Sequence, residues 1–222
     1  MKYLTLDEQK QLTKTVWSTK HAERDATIIE LFLNSGLRVS EMAGLLVGDV
    51  RNKQRLFVRP EIAKRKQRKT PDGKPRTNSR TVPLNVATQD MLHVWLSMKL
   101  GTLHESIEDG APLFITRLGA ALPKRSIENI VEKWMIRAGI TTMRNGKVVA
   151  LYSVHALRHT YAMRARERGV DLETIQDCLG HATLASTGVY VKTTDAKKDE
   201  MARRVGMSYS RASRLNKMRE AI

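Results

Sequence analysis

Three side chains suited to anion binding share one face of a predicted helix. His155, Arg158 and His159 follow Ser153 at spacings i, i+3 and i+4, which place them on the same side of a helix. The two histidines have the spacing of a metalloprotease helix, but Ala156 stands where the catalytic glutamate is needed, and Arg158 would put a cation beside the metal. One cation and two imidazoles favour an anion instead, and a phosphate is the obvious candidate.

A second candidate cation lies at a corner between two predicted helices. Arg38 comes two residues after the helix-breaking Gly36. Such a corner can hold a guanidinium rigidly over a phosphate, to which its planar group donates two hydrogen bonds. The alternative is a structural ion pair between Arg38 and Glu41 across one helical turn.

A third stretch adds a histidine and a tyrosine. Gly180 is predicted to end a helix, so that His181 turns back into the fold, and Tyr190 lies nine residues after His181. Phosphodiester transfer without a metal needs cations for the nonbridging oxygens, a nucleophile, and an acid for the leaving 5′-hydroxyl. A phenol, with a pKa of about 10, becomes a competent nucleophile when a neighbour accepts its proton. The combined set therefore favours metal-free phosphodiester transfer.

The order and spacing of these motifs resemble the active site of the tyrosine recombinase (phage integrase) family. The matching segments are 36–41 (Gly-Leu-Arg-Val-Ser-Glu), 155–159 (His-Ala-Leu-Arg-His), 179–181 (Leu-Gly-His) and Tyr190. The resemblance covers residues 5–195 and implies a mainly α-helical catalytic domain with a small antiparallel β-sheet. It also implies DNA cleavage through a 3′-phosphotyrosyl intermediate, with no metal, ATP or other cofactor.

The same resemblance implies a role for each matching residue. Arg38 and Arg158 would clamp the scissile phosphate, and Tyr190 would be the nucleophile. His155 would accept the proton of the tyrosine or hydrogen-bond to it, and His181 would donate to a phosphate oxygen. These five residues are the expected core of the catalytic site.

The remaining roles fall on a glutamate, a third histidine and a hairpin lysine. Glu41 would brace the site through internal pairing, and His159 is expected to be a structural helix residue. The family places a lysine on a β-hairpin as general acid for the 5′-hydroxyl. Lys64 lies where the incoming strand should end and is our first choice; Lys66 is the alternative.

The hairpin segment 64–76 is strongly basic and contains the turn signal Pro71-Asp72-Gly73. Such a run repels itself and predicts a mobile loop that neutralises phosphates of nucleic acid. The bases expected to contact DNA, besides Lys64, are Lys66, Arg68, Lys69, Lys74 and Arg76.

Charge and composition point to the same partner. The 222 residues include 39 Lys and Arg against 23 Asp and Glu, a net charge of +16, and 41% are apolar, enough for a core. No apolar run is long enough to span a bilayer, and the N-terminus lacks a signal-peptide pattern. A single cysteine, Cys178, fits a reducing compartment. We expect a cytoplasmic, nucleoid-associated protein of prokaryotic or phage origin that binds double-stranded DNA.

Hydrophobic periodicity and cap residues predict mostly helices with one small sheet near the middle. The predicted helices are 5–17, 23–35, 39–46, 87–100, 124–138, 153–168, 171–180, a short one from 183, and one or two beyond 195. The predicted strands, 55–59 and 79–84, form an antiparallel hairpin around the basic loop.

The chain length sets the expected domain organisation. Residues 1–194 would be the catalytic domain and 195–222 a basic helical tail. The tail could dock on another protomer of a homotetramer on DNA, with a monomer in its absence, or pack on its own domain. The N-terminal DNA-clamping domain typical of the family is expected to be absent, as in short invertase-like members or an excised catalytic domain.

Two other functions remain open. A type IB topoisomerase or a hairpin telomere resolvase would use the same chemistry. A non-catalytic DNA-binding protein could keep the fold, although decay would not need to keep Arg38, His155, Arg158, His181 and Tyr190 together.

Overall fold

The protein is mostly helical and carries two small antiparallel sheets, as seen in a computed structural model that describes residues 3–20, 22–51, 53–63, 79–101, 103–180 and 195–205. The predicted fold class is confirmed. The helices are α1 (Leu6–Trp17), α2 (Glu23–Ser35), α3 (Val39–Ala43), α4 (Val86–Gly101), α5 (Lys124–Arg137), α6 (Val154–Glu167), α7 (Leu172–Leu179) and α8 (Asp195–Val205). The strands are β1 (Arg55–Val58), β2 (Arg80–Pro83), β3 (Thr141–Arg144) and β4 (Lys147–Ala150).

Helix α2 is the centre of the fold. Every residue from Asp25 to Ser35 is buried, and the helix packs against α1, α4, α5 and α6. Its dense apolar positions remove a large nonpolar area from water, which is the main favourable term in folding. The rigid end of this helix, at Ser35, is where the chain turns toward Arg38.

The predicted helix ends are confirmed where local chemistry determines them. The Thr5 hydroxyl accepts from the Glu8 amide at 3.2 Å while the Glu8 carboxylate accepts from the Thr5 amide at 2.7 Å, a complete capping box. Helices α2 and α7 end at Gly36 and Gly180, both left-handed, with φ of 61° and 64°. Asp171 caps α7 through the Thr174 amide.

Helix α3 is shorter than predicted. It ends at Ala43 rather than near Leu46, because the chain turns at Gly44 and Leu46 then bridges to Pro112. A 3-10 turn at Val47–Asp49 follows. The chain that follows Pro112 turns back on itself, with a second bridge between Ile115 and Ala121.

Strands β1 and β2 form the predicted hairpin. Arg55 pairs with Pro83 and Val58 with Arg80 in antiparallel register. Leu56, Val58 and Val82 are fully buried, so one face of the hairpin rests on the core. The segment between the strands, residues 64–78, lies outside the described residues.

The expectation of a single sheet was wrong, because β3 and β4 form a second one. Thr141 pairs with Ala150 and Arg144 with Lys147. The turn is Asn145-Gly146, with positive φ at both residues (48° and 71°). This is a turn geometry that matches the twist of antiparallel strands, so the Asn-Gly pair was the missed signal.

Helix α8 packs against α6, α7 and β2 of the same chain. Met201 and Val205 are buried beside Tyr161 and Ile175. Arg164 of α6 donates to the Val205 carbonyl at 2.5 Å. Residues 195–205 thus dock on their own domain in this structure, while 206–222 lie outside the described part.

No described helix is long and apolar enough to cross a membrane.

Candidate functional site

Glu41 is the centre of a buried ionic cluster. Its side chain is completely buried, and its oxygens accept from Arg38 Nη1 at 2.9 Å and from Arg80 Nη1 and Nη2 at 2.8 and 2.9 Å. The Arg38 backbone amide also donates to it at 2.7 Å, and Arg158 Nη1 lies 4.0 Å away. One carboxylate therefore holds three guanidinium groups that come from α6, from β2 and from the start of α3.

This cluster carries an excess of positive charge. Burial alone would raise the pKa of Glu41, but the hydrogen bonds and charges of Arg80 and Arg38 lower it to about 2, so the carboxylate is ionised. Three arginines against one carboxylate leave a net positive site with low solvent content. Such a site favours an anion that brings its own negative charge.

Arg38 is the accessible member of the cluster. It occupies the residue before α3 in extended conformation, with ψ of 153°, because the left-handed Gly36 turns the chain out of α2. Its side chain is 24% exposed. Besides Glu41, its partners among the described residues are the Leu179 carbonyl at 3.5 Å and the Gly180 carbonyl at 3.4 Å, both long hydrogen bonds. Several of its N–H donors can therefore reach a bound phosphate.

Arg158 lies deeper, on α6. It donates to the carbonyls of Gly36 and Leu179, both at 2.6 Å, and only 3% of the residue is exposed. Burial, followed by the charge of Arg38, lowers its pKa to about 9, which still leaves it cationic at neutral pH. These two bonds join the end of α2 to the end of α7 and orient the guanidinium beside Arg38.

The predicted neighbours thus meet in space. Arg38 and Arg158 both donate to the Leu179 carbonyl, although they are far apart in sequence. The α7 carbonyls carry the negative end of the helix dipole, which suits these cations. The predicted Arg38–Glu41 ion pair is therefore confirmed, and the phosphate-binding role of Arg38 stays a prediction that its partial exposure permits.

The two histidines of α6 also lie together, as the spacing predicts. The rings of His155 and His159 make an edge-to-face contact with centroids 4.8 Å apart. Partial desolvation, followed by the charges of Arg158 and Arg38, lowers the pKa of His155. The pKa of His159 is lowered too, by desolvation and then by His155 and Arg158. A neutral, exposed His155 is able to accept a proton.

Arg80 belongs to the site and was not predicted. It begins β2 and crosses to Glu41, while its Nε donates to the Cys178 carbonyl at 2.8 Å. Only 7% of its side chain is exposed. The available signal was a charged residue at the start of a strand that otherwise contributes apolar side chains to the core.

The other predicted site residues lie outside the described part of the chain. These are Lys64, His181, Tyr190 and the DNA-contacting candidates Lys66, Arg68, Lys69, Lys74 and Arg76. Their roles stay predictions. Arg80 of the cluster lies two residues after segment 64–78, and Gly180 directly precedes segment 181–194.

The chain resembles known proteins over nearly its whole length. The model of the phage integrase family matches residues 2–197. Tyrosine recombinase XerC of Thermodesulfovibrio yellowstonii is 33% identical over 193 residues, which cover 85% of this chain and 57% of that protein. The chain therefore spans little more than half of this relative.

Solved structures show the same fold. The crystal structure of XerA recombinase has a TM-score of 0.63 and 25% identity, covering 94% of this chain and 66% of that one. The Tn1549 transposon integrase in complex with transposon right end DNA has a TM-score of 0.62 at 17% identity, covering 99% and 65%.

Proposed function

Because the chain belongs to the phage integrase family of tyrosine recombinases, we propose that it carries the catalytic centre of a site-specific DNA recombinase. The enzyme cuts and rejoins DNA strands for integration, excision or inversion. The observation that carries this proposal is the cluster in which Glu41 gathers Arg38, Arg80 and Arg158. Three guanidinium groups near one carboxylate leave positive charge that a bound phosphate can neutralise.

The proposed reaction begins with phosphate binding. Arg38 and Arg158 donate to the nonbridging oxygens of the scissile phosphate, and His181 donates a further hydrogen bond. These donors stabilise the charge that develops on the phosphorane. The site is largely buried and already organised by Glu41, so little reorganisation is needed when DNA binds.

Strand cleavage then forms one bond and breaks another. The Tyr190 oxygen attacks phosphorus, and its proton passes to the neutral His155. The bond from phosphorus to the 5′-oxygen breaks, and Lys64 supplies the proton that makes the leaving group a 5′-hydroxyl. The product is a 3′-phosphotyrosine, and attack by the 5′-hydroxyl of another strand reverses the steps. One phosphodiester is exchanged for another, so the sequence of steps needs neither metal nor ATP.

Double-stranded DNA is the proposed partner. Transposon DNA is bound by the Tn1549 integrase, which shares the fold. In the present chain, the bases of segment 64–76 would neutralise phosphates on either side of the cut. We expect a homotetramer on DNA and mainly a monomer without it, with the tail 195–222 free to exchange between protomers once α8 leaves its own domain. Binding should weaken steeply with added salt.

Covalent capture tests this function without knowledge of the target sequence. A library of nicked duplexes with randomised arms is incubated with the protein, and SDS-stable adducts are isolated and sequenced. Wild-type protein should yield adducts that share one sequence, with phosphate on the Tyr190 peptide. The Tyr190→Phe variant should yield none. Absence of any wild-type adduct across the library would contradict the enzymatic function.

Two controls separate the alternatives. Relaxation of supercoiled plasmids that lack the captured sequence would favour a topoisomerase. A sequence-specific footprint without any adduct would favour a non-catalytic DNA-binding protein. The intact set of Arg38, His155, Arg158, His181 and Tyr190 argues for catalysis.

A further inference from the structure

Arg80 donates hydrogen bonds to the protein from all three nitrogens of its guanidinium group. Nη1 and Nη2 donate to the two oxygens of Glu41 at 2.8 and 2.9 Å, and Nε donates to the Cys178 carbonyl at 2.8 Å. This is a bidentate pair, the geometry that best restricts an arginine to one orientation. Because each of its three nitrogens donates to Glu41 or to Cys178, Arg80 is placed to brace the cluster rather than to bind a phosphate as Arg38 is.

The same side chain determines how α7 ends. A Cβ added to Gly180 would lie 3.0 Å from Arg80 Cδ, 3.2 Å from Nη1 and 3.3 Å from Nε. Gly180 also has a φ of 64°, which glycine adopts at little cost. The Arg80 side chain therefore packs closely against the end of α7. The Leu179 carbonyl, which accepts from Arg158, lies in the same turn as this contact.

Arg80 also stands at the base of the hairpin. It is the first residue of β2 and pairs with Val58, the last residue of β1. The strands therefore leave the sheet toward segment 64–78 at the level of Arg80. One side chain thus connects the hairpin base, the bracing carboxylate of Glu41 and the last turn of α7.

We propose that Arg80 is a positioning residue for strand cleavage. It acts through Glu41 and through the end of α7, and it fixes the start of β2 relative to the two arginines predicted to bind phosphate. Its loss displaces these groups relative to one another without removing any group that contacts DNA. This role rests on the proposed recombinase function.

The chain offers a matched control in Arg59. Its Nε donates to both oxygens of the buried Asp49 at 3.0 and 3.1 Å, and its Nη2 donates to the Gly44 carbonyl at 2.6 Å. Arg59 therefore also binds a buried carboxylate and a backbone carbonyl, just beyond the other strand of the hairpin, and its carboxylate is Asp49 rather than Glu41. Arg59→Gln therefore removes a buried ion pair, Arg59–Asp49, that lies outside the arginine cluster.

The first experiment measures the rate of adduct formation at saturating captured DNA, together with the DNA affinity. A misplacement of about 1 Å can cost about 100-fold in rate, and we expect that loss for Arg80→Gln with DNA affinity within about threefold of wild type. Arg80→Lys keeps the charge but not the bidentate geometry, so it should recover only about tenfold of the loss. Arg59→Gln should stay within about threefold of wild type.

A double-mutant cycle tests the route of the effect. If Arg80 acts through Glu41, the variant with both Arg80→Gln and Glu41→Gln should be no slower than the slower single variant. Additive losses, an Arg80→Gln rate within threefold of wild type, or a full recovery in Arg80→Lys would each overturn the proposal.

Hydrogen exchange provides a readout that does not depend on catalysis. The Arg38 amide donates to Glu41 and the Gly180 amide to Asp177, so both should be protected in wild type. We expect about tenfold faster exchange at both amides in Arg80→Gln and little change in Arg59→Gln. Unchanged exchange would overturn the positioning role. Failure of wild type to form adducts would instead contradict the recombinase function, while exchange still decides the role of Arg80.

Discussion

Two buried carboxylates, Glu41 and Asp49, occupy nearly identical local settings. Each lies at the third position of a short helical turn and accepts from the amide that precedes it, Glu41 from Arg38 at 2.7 Å and Asp49 from Leu46 at 2.9 Å. Each also binds a hairpin arginine through both oxygens. Each carboxylate thus caps a short turn and pairs with an arginine of the hairpin region.

The difference is what distant segments add. Among the described residues Asp49 pairs with Arg59, and one carboxylate with one guanidinium group is close to neutral. Glu41 receives Arg80 from β2, Arg38 from its own turn and the nearby Arg158 from α6. The same capping motif thus has a structural role at Asp49, whereas at Glu41 it lies at the centre of a positively charged site. Tertiary contacts, rather than the motif, make the second one functional.

The largest expected effect is loss of Arg158. Removal of one preorganised donor to a developing negative charge costs up to about 1000-fold, and we expect that loss of adduct rate in Arg158→Ala. Arg59→Ala should change the rate by less than about threefold. Arg158→Lys keeps the cation in case Arg158→Ala unfolds. A rate in Arg158→Lys equal to that of Arg59→Ala would remove the distinction between the two clusters.

The next largest expected effect is the loss of folding stability in acid, to which Glu41 contributes. Its pKa is lowered from 4.5 to about 2, so its contribution to stability is fully present above pH 4.5 and is lost as the pH falls toward 2. The shift corresponds to about 3 kcal/mol. Urea unfolding between pH 2 and 6 should show this loss in wild type and a flatter profile in Glu41→Gln. Equal pH profiles in the two proteins would contradict the ionised, arginine-bound Glu41.

At neutral pH, substitution of the two carboxylates should also destabilise the fold to different extents. Glu41→Gln leaves three guanidinium groups without their carboxylate, whereas Asp49→Asn affects one. Breaking a buried pair costs about 3–5 kcal/mol, and we expect Glu41→Gln at the upper end of this range and Asp49→Asn below it.

His155 should give a smaller, pH-dependent effect. Its pKa is lowered from 6.5, so it stays neutral and able to accept a proton down to a pH below that value. The wild-type adduct rate should therefore stay level as the pH falls to 6.5 and should drop only at a lower pH. In His155→Ala the adduct rate should drop about 100-fold, and the remaining rate should no longer fall at acid pH. His159→Ala, the structural neighbour, should keep both the rate and the fall; a loss as large as that of His155→Ala would contradict this division.

The smallest expected effect concerns Gly180. Gly180→Ala and Gly139→Ala place alanine at φ of 64° and 71° at the ends of α7 and α5. Each should lose about 1 kcal/mol to backbone strain, measured by urea unfolding. Only Gly180→Ala also crowds Arg80, so only it should slow adduct formation, by about tenfold. Equal rates in the two variants would argue against coupling through Arg80.

Much of the fold was predictable because its signals are local. The Thr5–Glu8 capping box, the glycine at the end of α2 and the Asp171 cap each act within a few residues. The β3–β4 hairpin was missed because its strands are short and half exposed, although the Asn145-Gly146 pair is a typical hairpin turn sequence. The length of α3 depended on a bridge to Pro112, which no local pattern contains.

The site was predictable only in part, for the same reason. Arg38, His155 and Arg158 followed from motif spacing, and the structure places Arg38 and Arg158 on one carbonyl. Arg80 has no such spacing, and its role arises from a contact to Glu41 across 39 residues and to Cys178 across 98. Side chains that position others are found through the structure because their partners are remote in sequence.

The position of the scissile phosphate tests the central claim most directly. A crystal structure of Tyr190→Phe bound to the captured DNA would locate it. We predict that its nonbridging oxygens accept from the guanidinium groups of Arg38 and Arg158, with Arg80 still bound to Glu41. A phosphate held elsewhere, with Arg38 and Arg158 still donating only to Glu41 and the backbone carbonyls, would contradict the assignment of this cluster as the catalytic site.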